Sequence, residues 1–287
     1  MKQIRRIPKA MRHVWAEAMR SPLFSWTIPY EAGVKIQRAL LSPAWVQRLL
    51  FARPVAVMHA WGKICSISDL SNQVLLNLMI NTWRGWRMTS LKRPSVAEKW
   101  LRVEGLENLR QAMGSGRGII LLTIHTLRTG IIQRAVRMVS DKDAHLFAGR
   151  VEEEDNNMVM AIYVRRIIEA RKQLEQGEVI VIGGDGLRGN TSITLPFHGR
   201  AFPFRSGFAE LAARSNAVAL AVFIYYELDG RVILEFSEPI EAGSGTREEQ
   251  VTGMVRQYAR ILTERWPRLL PSVTWRKLKQ ILAMPPA

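Results

Sequence analysis

A histidine at the end of an apolar run is the residue of this chain best suited to acid–base chemistry. His125 follows residues 119–124, which are apolar except for Thr123 and come after a glycine-rich turn. A short apolar run bounded by turn residues predicts a buried parallel strand. In open α/β sheets, ligands and catalytic groups collect where such strands end. Because histidine titrates near pH 7, His125 is either a general base or a structural histidine.

An aspartate follows a second predicted buried strand, residues 179–182. Asp185 stands there among glycines, between Gly184 and Gly186. An acidic residue at the end of a strand has the position of a site residue. An aspartate between glycines also forms turns with its own backbone. Asp185 is therefore a candidate for the site, with a turn as the alternative.

Two arginines precede a short predicted helix, residues 208–215. Arg200 and Arg205 flank the start of that helix, and Ser206 is its predicted cap. Exposed N–H groups at a helix start, together with cations, favour an anion such as phosphate. The acidic run 152–155 suits the first turn of another helix better than a metal site, because a hard cation needs convergent oxygens. We therefore expect an anion site and no metal site.

The composition is strongly basic. The 287 residues include 41 Lys and Arg against 25 Asp and Glu, which gives a formal net charge of +16. This excess favours anionic partners, among them nucleic acid, an anionic membrane surface and an acidic carrier protein. The hydrophobic content of 47% excludes a disordered or collagen-like chain. A single cysteine, Cys65, excludes a fold held together by internal disulfides.

Residues 1–65 are basic and rich in aromatic side chains. Apolar residues recur there at helical spacing with cations beside them, which is typical of a helix in a membrane interface and equally of a helix packed on a domain. Trp26, Tyr30 and Trp45 fit either a headgroup boundary or a core. No apolar run approaches the roughly 18 to 20 residues that span a bilayer, and no apolar region of a secretory signal is present. We predict a cytoplasmic protein that is soluble or lies on a membrane.

Helical spacing predicts one helix over residues 68–86, with Ser68 or Asp69 as its cap. A polar link at residues 92–97 contains a proline and separates this helix from the rest. The first third of the chain is therefore predicted to be helical.

The remainder is predicted to be α/β. Residues 218–236 form a predicted hairpin, because two apolar runs flank an Asp-Gly turn. A capping box at residues 246–249 opens a helix that is predicted to end at residues 266–267, before a basic tail. We divide the chain into an extension, residues 1–65, and a main α/β domain, residues 66–287.

The order of these parts resembles a known family. The segments VEGLENLRQAMGSGRGIILLTIH, LEQGEVIVIGGDG and PFHGRAFPFRSGFAELAARSNAVALAVFIYYELDGR, with Arg150 between the first two, resemble the lipid A biosynthesis late acyltransferases of the lysophospholipid acyltransferase superfamily. The resemblance covers residues 103–267, and it depends on four motifs in one order. It implies a glycerol-phosphate-acyltransferase-like central mixed sheet flanked by helices, with a helical, amphipathic N-terminal extension.

The resemblance also implies catalytic roles. In that family, a histidine is the general base for an acceptor hydroxyl, and an Asp or Glu five positions later orients it and stabilises its charge. His125 matches the histidine, but Gly130 stands in the place of the acid, so the HxxxxD/E motif is degenerate. Asp185 matches the family's aspartate at the end of a strand and is our candidate for the replacement acid.

The resemblance further implies the substrates. Arg150, Arg200, Arg205 and Arg128 are our candidates for binding an anionic substrate, and the acyl donor is a thioester of acyl carrier protein or coenzyme A rather than a bound cofactor. We expect a peripheral enzyme on the lipid surface of the cytoplasmic face of a bacterial inner membrane, and no nucleic acid as partner. The alternative is a catalytically impaired relative, a pseudo-acyltransferase that binds an acyl carrier, a lipid or a partner enzyme.

Overall fold

The computed structural model describes residues 27–124, 130–147, 156–184 and 191–287. The helices are α1 (Tyr30–Leu41), α2 (Ala44–Cys65), α3 (Leu70–Thr82), α4 (Arg84–Ser90), α5 (Pro94–Trp100), α6 (Leu106–Gly114), α7 (Gly130–Arg137), α8 (Asn156–Glu175), α9 (Gly207–Ser215), α10 (Arg247–Leu269) and α11 (Trp275–Leu282). The strands are β1 (Leu101–Glu104), β2 (Ile119–Thr123), β3 (Ala144–Leu146), β4 (Val179–Gly183), β5 (Ser192–Phe197), β6 (Arg200–Arg205), β7 (Val218–Tyr226) and β8 (Val232–Ile240).

Six strands form one mixed sheet in the order β1-β8-β7-β2-β4-β3. Strands β7, β2, β4 and β3 are parallel to one another, whereas β8 is antiparallel to β7 and pairs in parallel with β1. Strands β5 and β6 form a separate antiparallel hairpin. The predicted α/β class, with a central mixed sheet flanked by helices, is confirmed.

The centre of the sheet explains why its strands are apolar runs rather than alternating patterns. Every residue of β2 and of β7 is buried. Helices α9 and α10 both pack against β7, and α9 also contacts β2. A strand that is buried on both faces has no position for a polar side chain, so the sequence reads as a continuous apolar run.

The helical first third differs from its prediction in two places. The single helix predicted over residues 68–86 is two helices, because Trp83 has non-helical backbone angles between α3 and α4. Asp69 caps α3 by accepting a hydrogen bond from the N–H of Asn72 at 3.2 Å. The predicted polar link is helix α5, in which Pro94 occupies the first turn. Proline is compatible with that turn, since the first N–H groups of a helix have no partner within it.

The C-terminal part also extends beyond its prediction. Helix α10 continues through Pro267 to Leu269, and the predicted basic tail is helix α11. Leu278 and Ile281 are buried and lie on one face of α11. The indole N–H of Trp61 on α2 donates to the Leu278 carbonyl at 3.1 Å, so α11 is bound to a helix of the N-terminal third.

A buried arginine joins α1 to the sheet. Arg87 on α4 donates to the Tyr30 hydroxyl at 2.9 Å and to the Gln37 side-chain oxygen at 3.0 Å. The Tyr30 hydroxyl in turn donates to the carbonyl of Gly230, in the turn between β7 and β8, at 2.8 Å. Burial raises the pKa of Tyr30, more than the neighbouring Arg87 lowers it, so the hydroxyl keeps the proton that it donates. The start of α1 is thereby fixed beside the end of β7.

Two tyrosines that contact Arg87 give a test of this arrangement. Tyr30→Phe leaves a buried guanidinium N–H and the Gly230 carbonyl without a partner, so we expect a loss of about 1 to 3 kcal/mol in the free energy of unfolding. Tyr226 also lies within 5.4 Å of the Arg87 guanidinium, but its buried hydroxyl has no hydrogen-bond partner among the described residues. Tyr226→Phe should therefore change the stability by less than about 0.5 kcal/mol or increase it. Urea denaturation of both variants measures the difference, and equal losses would contradict the assignment.

Candidate active site

Strands β2 and β4 lie side by side and end at the same level. Thr123 is opposite Gly183 in the parallel register, and the N–H of Gly184 donates to the Thr123 carbonyl at 2.8 Å. The backbone therefore leaves both strands at adjacent points of one sheet edge. Parallel strands place the groups that follow them at a common edge, which is where open α/β sheets bind ligands.

Strand β3 ends at the same edge. It pairs with β4, and the N–H of Phe147 donates to the Val181 carbonyl at 2.9 Å. The segments that follow β2, β4 and β3 contain four of the predicted site residues. These are His125, Arg128, Asp185 and Arg150, and all four lie outside the described residues.

The start of α9 belongs to this edge as well. The short link of Asn216 and Ala217 connects the end of α9 to the start of β7, which pairs with the start of β2. Helix α9 packs against β7 and β2, so it runs back along the sheet and begins near the edge where β2 and β4 end. Arg205 directly precedes this helix start. The predicted anion site therefore has one arginine and one helix start close to the ends of the central strands.

The prediction that Ser206 caps α9 is correct in position but wrong about the hydrogen bond. Ser206 occupies the position before the helix, but its side chain makes no capping bond. Its hydroxyl instead donates to the Thr191 hydroxyl at 2.9 Å. Because Thr191 precedes β5, this bond joins the two ends of the β5–β6 hairpin beside the candidate site.

Arg200 lies at the other end of β6 from Arg205. The five-residue separation along a strand corresponds to about 17 Å. The Arg200 guanidinium donates to the Met284 carbonyl at 3.1 Å, so it binds the C-terminal segment. Arg200 therefore does not flank the start of α9 as the sequence suggested, and its assignment to substrate binding stays a prediction.

Tyr258 on α10 is a neighbour of the site that sequence reasoning assigned only to the core. It is buried, and a Cβ atom added to Gly184 would lie 2.4 Å from its hydroxyl oxygen and 2.7 Å from its Cζ. Gly184 is the residue directly before Asp185. The absence of a side chain at Gly184 thus lets the phenol approach the backbone that leads into the predicted acid. The only signal of this close approach in the sequence is the glycine at position 184, directly before Asp185.

Within the described residues, Cys65 and His198 form a thiol–imidazole contact, with 3.8 Å between the sulfur and Nδ1. Burial raises the pKa of the Cys65 thiol to about 11 and lowers the pKa of His198. Both groups are therefore neutral at pH 7 and do not form a reactive thiolate–imidazolium pair. Within the described ranges, no group of three His, Cys, Asp or Glu side chains is arranged to hold a metal ion.

Comparison with known proteins gives the family. A family model described as bacterial lipid A biosynthesis acyltransferase matches residues 73–264, about two thirds of the chain. This chain belongs to that family. The recognition made from the sequence is therefore confirmed, and the chain is placed among the acyltransferases of lipid biosynthesis.

Other comparisons add a solved structure. The chain matches the crystal structure of the 1-acyl-sn-glycerophosphate (LPA) acyltransferase PlsC from Thermotoga maritima with 16% sequence identity and a TM-score of 0.34. The match covers 77% of this chain and 96% of that chain. No curated protein matches this member of the lipid A acyltransferase family.

A pair of glycine variants tests the close approach at the site. Gly184→Ala brings a methyl group against the Tyr258 ring, so we expect overpacking to cost about 1 to 3 kcal/mol and to displace the segment that begins with Asp185. Gly253→Ala on α10 is the control, because a Cβ atom there meets nothing within 4 Å. An alanine inside a helix stabilises by up to about 1 kcal/mol over glycine. Thermal unfolding of both variants checks the signs, and a stable Gly184→Ala protein would contradict the contact.

Proposed function

We propose that this chain is an acyltransferase that moves a fatty acyl group from a thioester of acyl carrier protein or coenzyme A to a hydroxyl or amine of a lipid-like acceptor. Membership of the family supports the reaction class. The observation that carries the proposal is the matched end of β2 and β4, with Thr123 opposite Gly183. His125 and Asp185 each follow these paired residues by two positions, so the pairing favours a short distance between them.

His125 is the general base in this proposal. Its imidazole removes the proton of the acceptor hydroxyl while the oxygen attacks the thioester carbonyl. The C–S bond of the tetrahedral intermediate then breaks, and the imidazolium returns the proton to the leaving thiolate. Asp185 orients the imidazole and stabilises its positive charge, which is the role of the carboxylate in a serine-hydrolase triad.

The anionic parts of the substrates have cationic partners in this scheme. Arg205 and the start of α9 together favour a phosphate, because the unpaired N–H groups of a helix start and a cation two residues before it both attract an anion. Arg150 and Arg128 stand in the segments after β3 and β2, and we assign them to the same task. Arg200 is a weaker candidate, since it already donates to a backbone carbonyl. An acidic carrier protein is attracted by the net charge of +16.

The proposed place of action is the cytoplasmic face of a bacterial inner membrane. The acceptor of a lipid-biosynthesis enzyme resides in a membrane, so the enzyme must approach that surface. No helix of the described residues is both long enough and apolar enough to traverse a bilayer. The basic, aromatic-rich residues 1–65 fit an anionic lipid surface, and on that ground we propose peripheral attachment.

The second candidate function is binding without turnover. Gly130, which stands in place of the family's acid, is the first residue of α7. A carboxylate is therefore absent from the position that supports the histidine in relatives. If Asp185 does not take this role, the same sheet edge binds an acyl carrier, a lipid or a partner enzyme without turnover, as in a pseudo-acyltransferase.

Acyl transfer by the purified full-length protein tests the proposal. With acyl carrier protein thioesters and membranes, we expect His125→Ala to lower kcat about 10²- to 10⁴-fold, since general base catalysis contributes that much. Asp185→Asn should lower it as well, because it removes the charge that stabilises the imidazolium. His145→Ala is the matched control, because His145 lies on the edge strand β3 with its side chain 46% exposed. Thioester binding without turnover, unchanged in His125→Ala, would establish the binding function instead.

A further inference from the structure

Two neighbouring helices of the described chain leave large apolar side chains in solvent. Ile36 and Leu40 on α1, with Trp45, Leu49 and Leu50 on α2, are between 43% and 68% exposed. We call these five residues the elbow surface. Single exposed apolar residues are ordinary, but five large ones on two consecutive, contacting helices indicate an interaction site.

The elbow surface is separate from the faces that hold these helices on the protein. Helix α1 buries its other side through Tyr30, Val34 and Gln37. Helix α2 is bent at Phe51, whose φ of −129° and ψ of 28° interrupt the helix, three residues before Pro54. Proline cannot complete the hydrogen-bond ladder behind it, which accounts for a bend at this place.

The second half of α2 is anchored in the core. Met58 and Trp61 are completely buried, and the Trp61 ring packs against Trp266 of α10 with 5.3 Å between ring centroids. The bend therefore separates an anchored half, which fixes the direction of the helix, from a first half that carries Trp45, Leu49 and Leu50 outward.

Exposed cations lie on the same two helices as the elbow surface. Lys35, Arg38, Arg48 and Arg53 alternate with its apolar residues along the chain, and Glu31 is the sole acidic residue in positions 27–65. Glu31 already accepts hydrogen bonds from Lys35 at 2.9 Å and Lys99 at 3.3 Å. An apolar surface with cations at its border fits a lipid layer whose headgroups are anionic. A tryptophan at its margin has the amphipathic shape that is favoured at a membrane interface.

The helix that carries Ile36 and Leu40 begins at the active-site end of the sheet. Tyr30, at the start of α1, donates to Gly230 in the turn that follows β7. Because β7 is parallel to β2, this turn is at the same edge as the ends of β2 and β4. Contact between α1 and a membrane would therefore bring that edge toward the lipid.

We infer that the elbow surface is a docking site for anionic lipid. On docking, the five apolar side chains insert between the headgroups, and the neighbouring cations pair with lipid phosphates. The inference deepens the proposed function, since a lipid acceptor gives such docking its purpose. Docking itself needs neither His125 nor an acyl donor, so it is measurable on its own.

A second exposed apolar group supplies the control. Val164, Ile167 and Ile168 on α8 are between 38% and 51% exposed. Both signs of charge accompany them, and Arg171 pairs with Glu175 at 2.7 Å on the same helix. Arg165, Arg166, Arg171 and Lys172 are accompanied there by Glu169 and Glu175, whereas Glu31 is the one acidic residue in positions 27–65. The inference therefore predicts a smaller contribution to binding from the α8 surface than from the elbow surface.

Vesicle co-sedimentation of the full-length protein tests the inference, with phosphatidylcholine vesicles that contain or lack phosphatidylglycerol. We expect binding to the anionic vesicles to weaken at least about tenfold in the double variant Leu40→Gln/Leu49→Gln, because each leucine loses its burial in lipid. In Arg38→Gln/Arg48→Gln, we expect about a fivefold loss for each cation and a smaller dependence on salt. The control Ile167→Gln/Ile168→Gln should lose clearly less binding than either elbow variant.

Three outcomes would overturn docking at the elbow. They are wild-type binding by both elbow variants, an equal loss in the α8 control, and equal binding to vesicles without phosphatidylglycerol. A change from dimer to monomer in the leucine variant, with vesicle binding unchanged, would show that a second copy of the chain covers the surface. Failure of the proposed function is distinguishable, since an inactive protein that still binds vesicles through the elbow refutes only the enzyme.

Discussion

The parallel pairing of β2 with β4 is the constraint on which the candidate site depends. A parallel ladder fixes register residue by residue, and a shift of one residue would turn every side chain to the opposite face. All residues of β2 and the first three of β4 are buried, so such a shift would disrupt their packing and destabilise the fold. Thr123 and Gly183 are therefore held opposite each other, and the hydrogen bond from the Gly184 N–H to the Thr123 carbonyl extends the pairing by one residue. The packing of β2 and β4 in the core thus fixes the points from which the two site segments leave the sheet.

The same edge collects the other functional features. The start of α9 with Arg205 reaches it from the β5–β6 hairpin, and Tyr258 on α10 supports it beneath Gly184. The hydrogen bond from Tyr30 to Gly230 places the start of α1 at that end of the sheet. In the proposed function, catalysis and anion binding share this one edge, and the helix that begins there carries part of the proposed lipid-docking surface.

Local sequence patterns predict secondary structure correctly where neighbouring residues alone determine it. The runs 119–123 and 179–183, the Asp229-Gly230 hairpin and the capping box of Thr246 all follow from residues within a few positions of one another. The prediction of a polar link at residues 92–97 is wrong, because Pro94 is the first residue of helix α5 and a proline is compatible with a helix start as well as with a link. The partners of Ser206 and Arg200 could not be inferred, since Thr191 and Met284 reach them only through the tertiary fold.

The central claim is that Asp185 lies beside His125 and replaces the acid that the family has where Gly130 stands. A double-cysteine variant, His125→Cys/Asp185→Cys, tests it in a Cys65→Ser background, where no other thiol is present. A disulfide needs Cα atoms about 4.4 to 6.8 Å apart, which adjacent strand positions in register provide. We predict an internal disulfide on mild oxidation, and none in His125→Cys/Arg117→Cys, whose positions are at opposite ends of β2. A folded His125→Cys/Asp185→Cys protein that forms no disulfide would contradict the account.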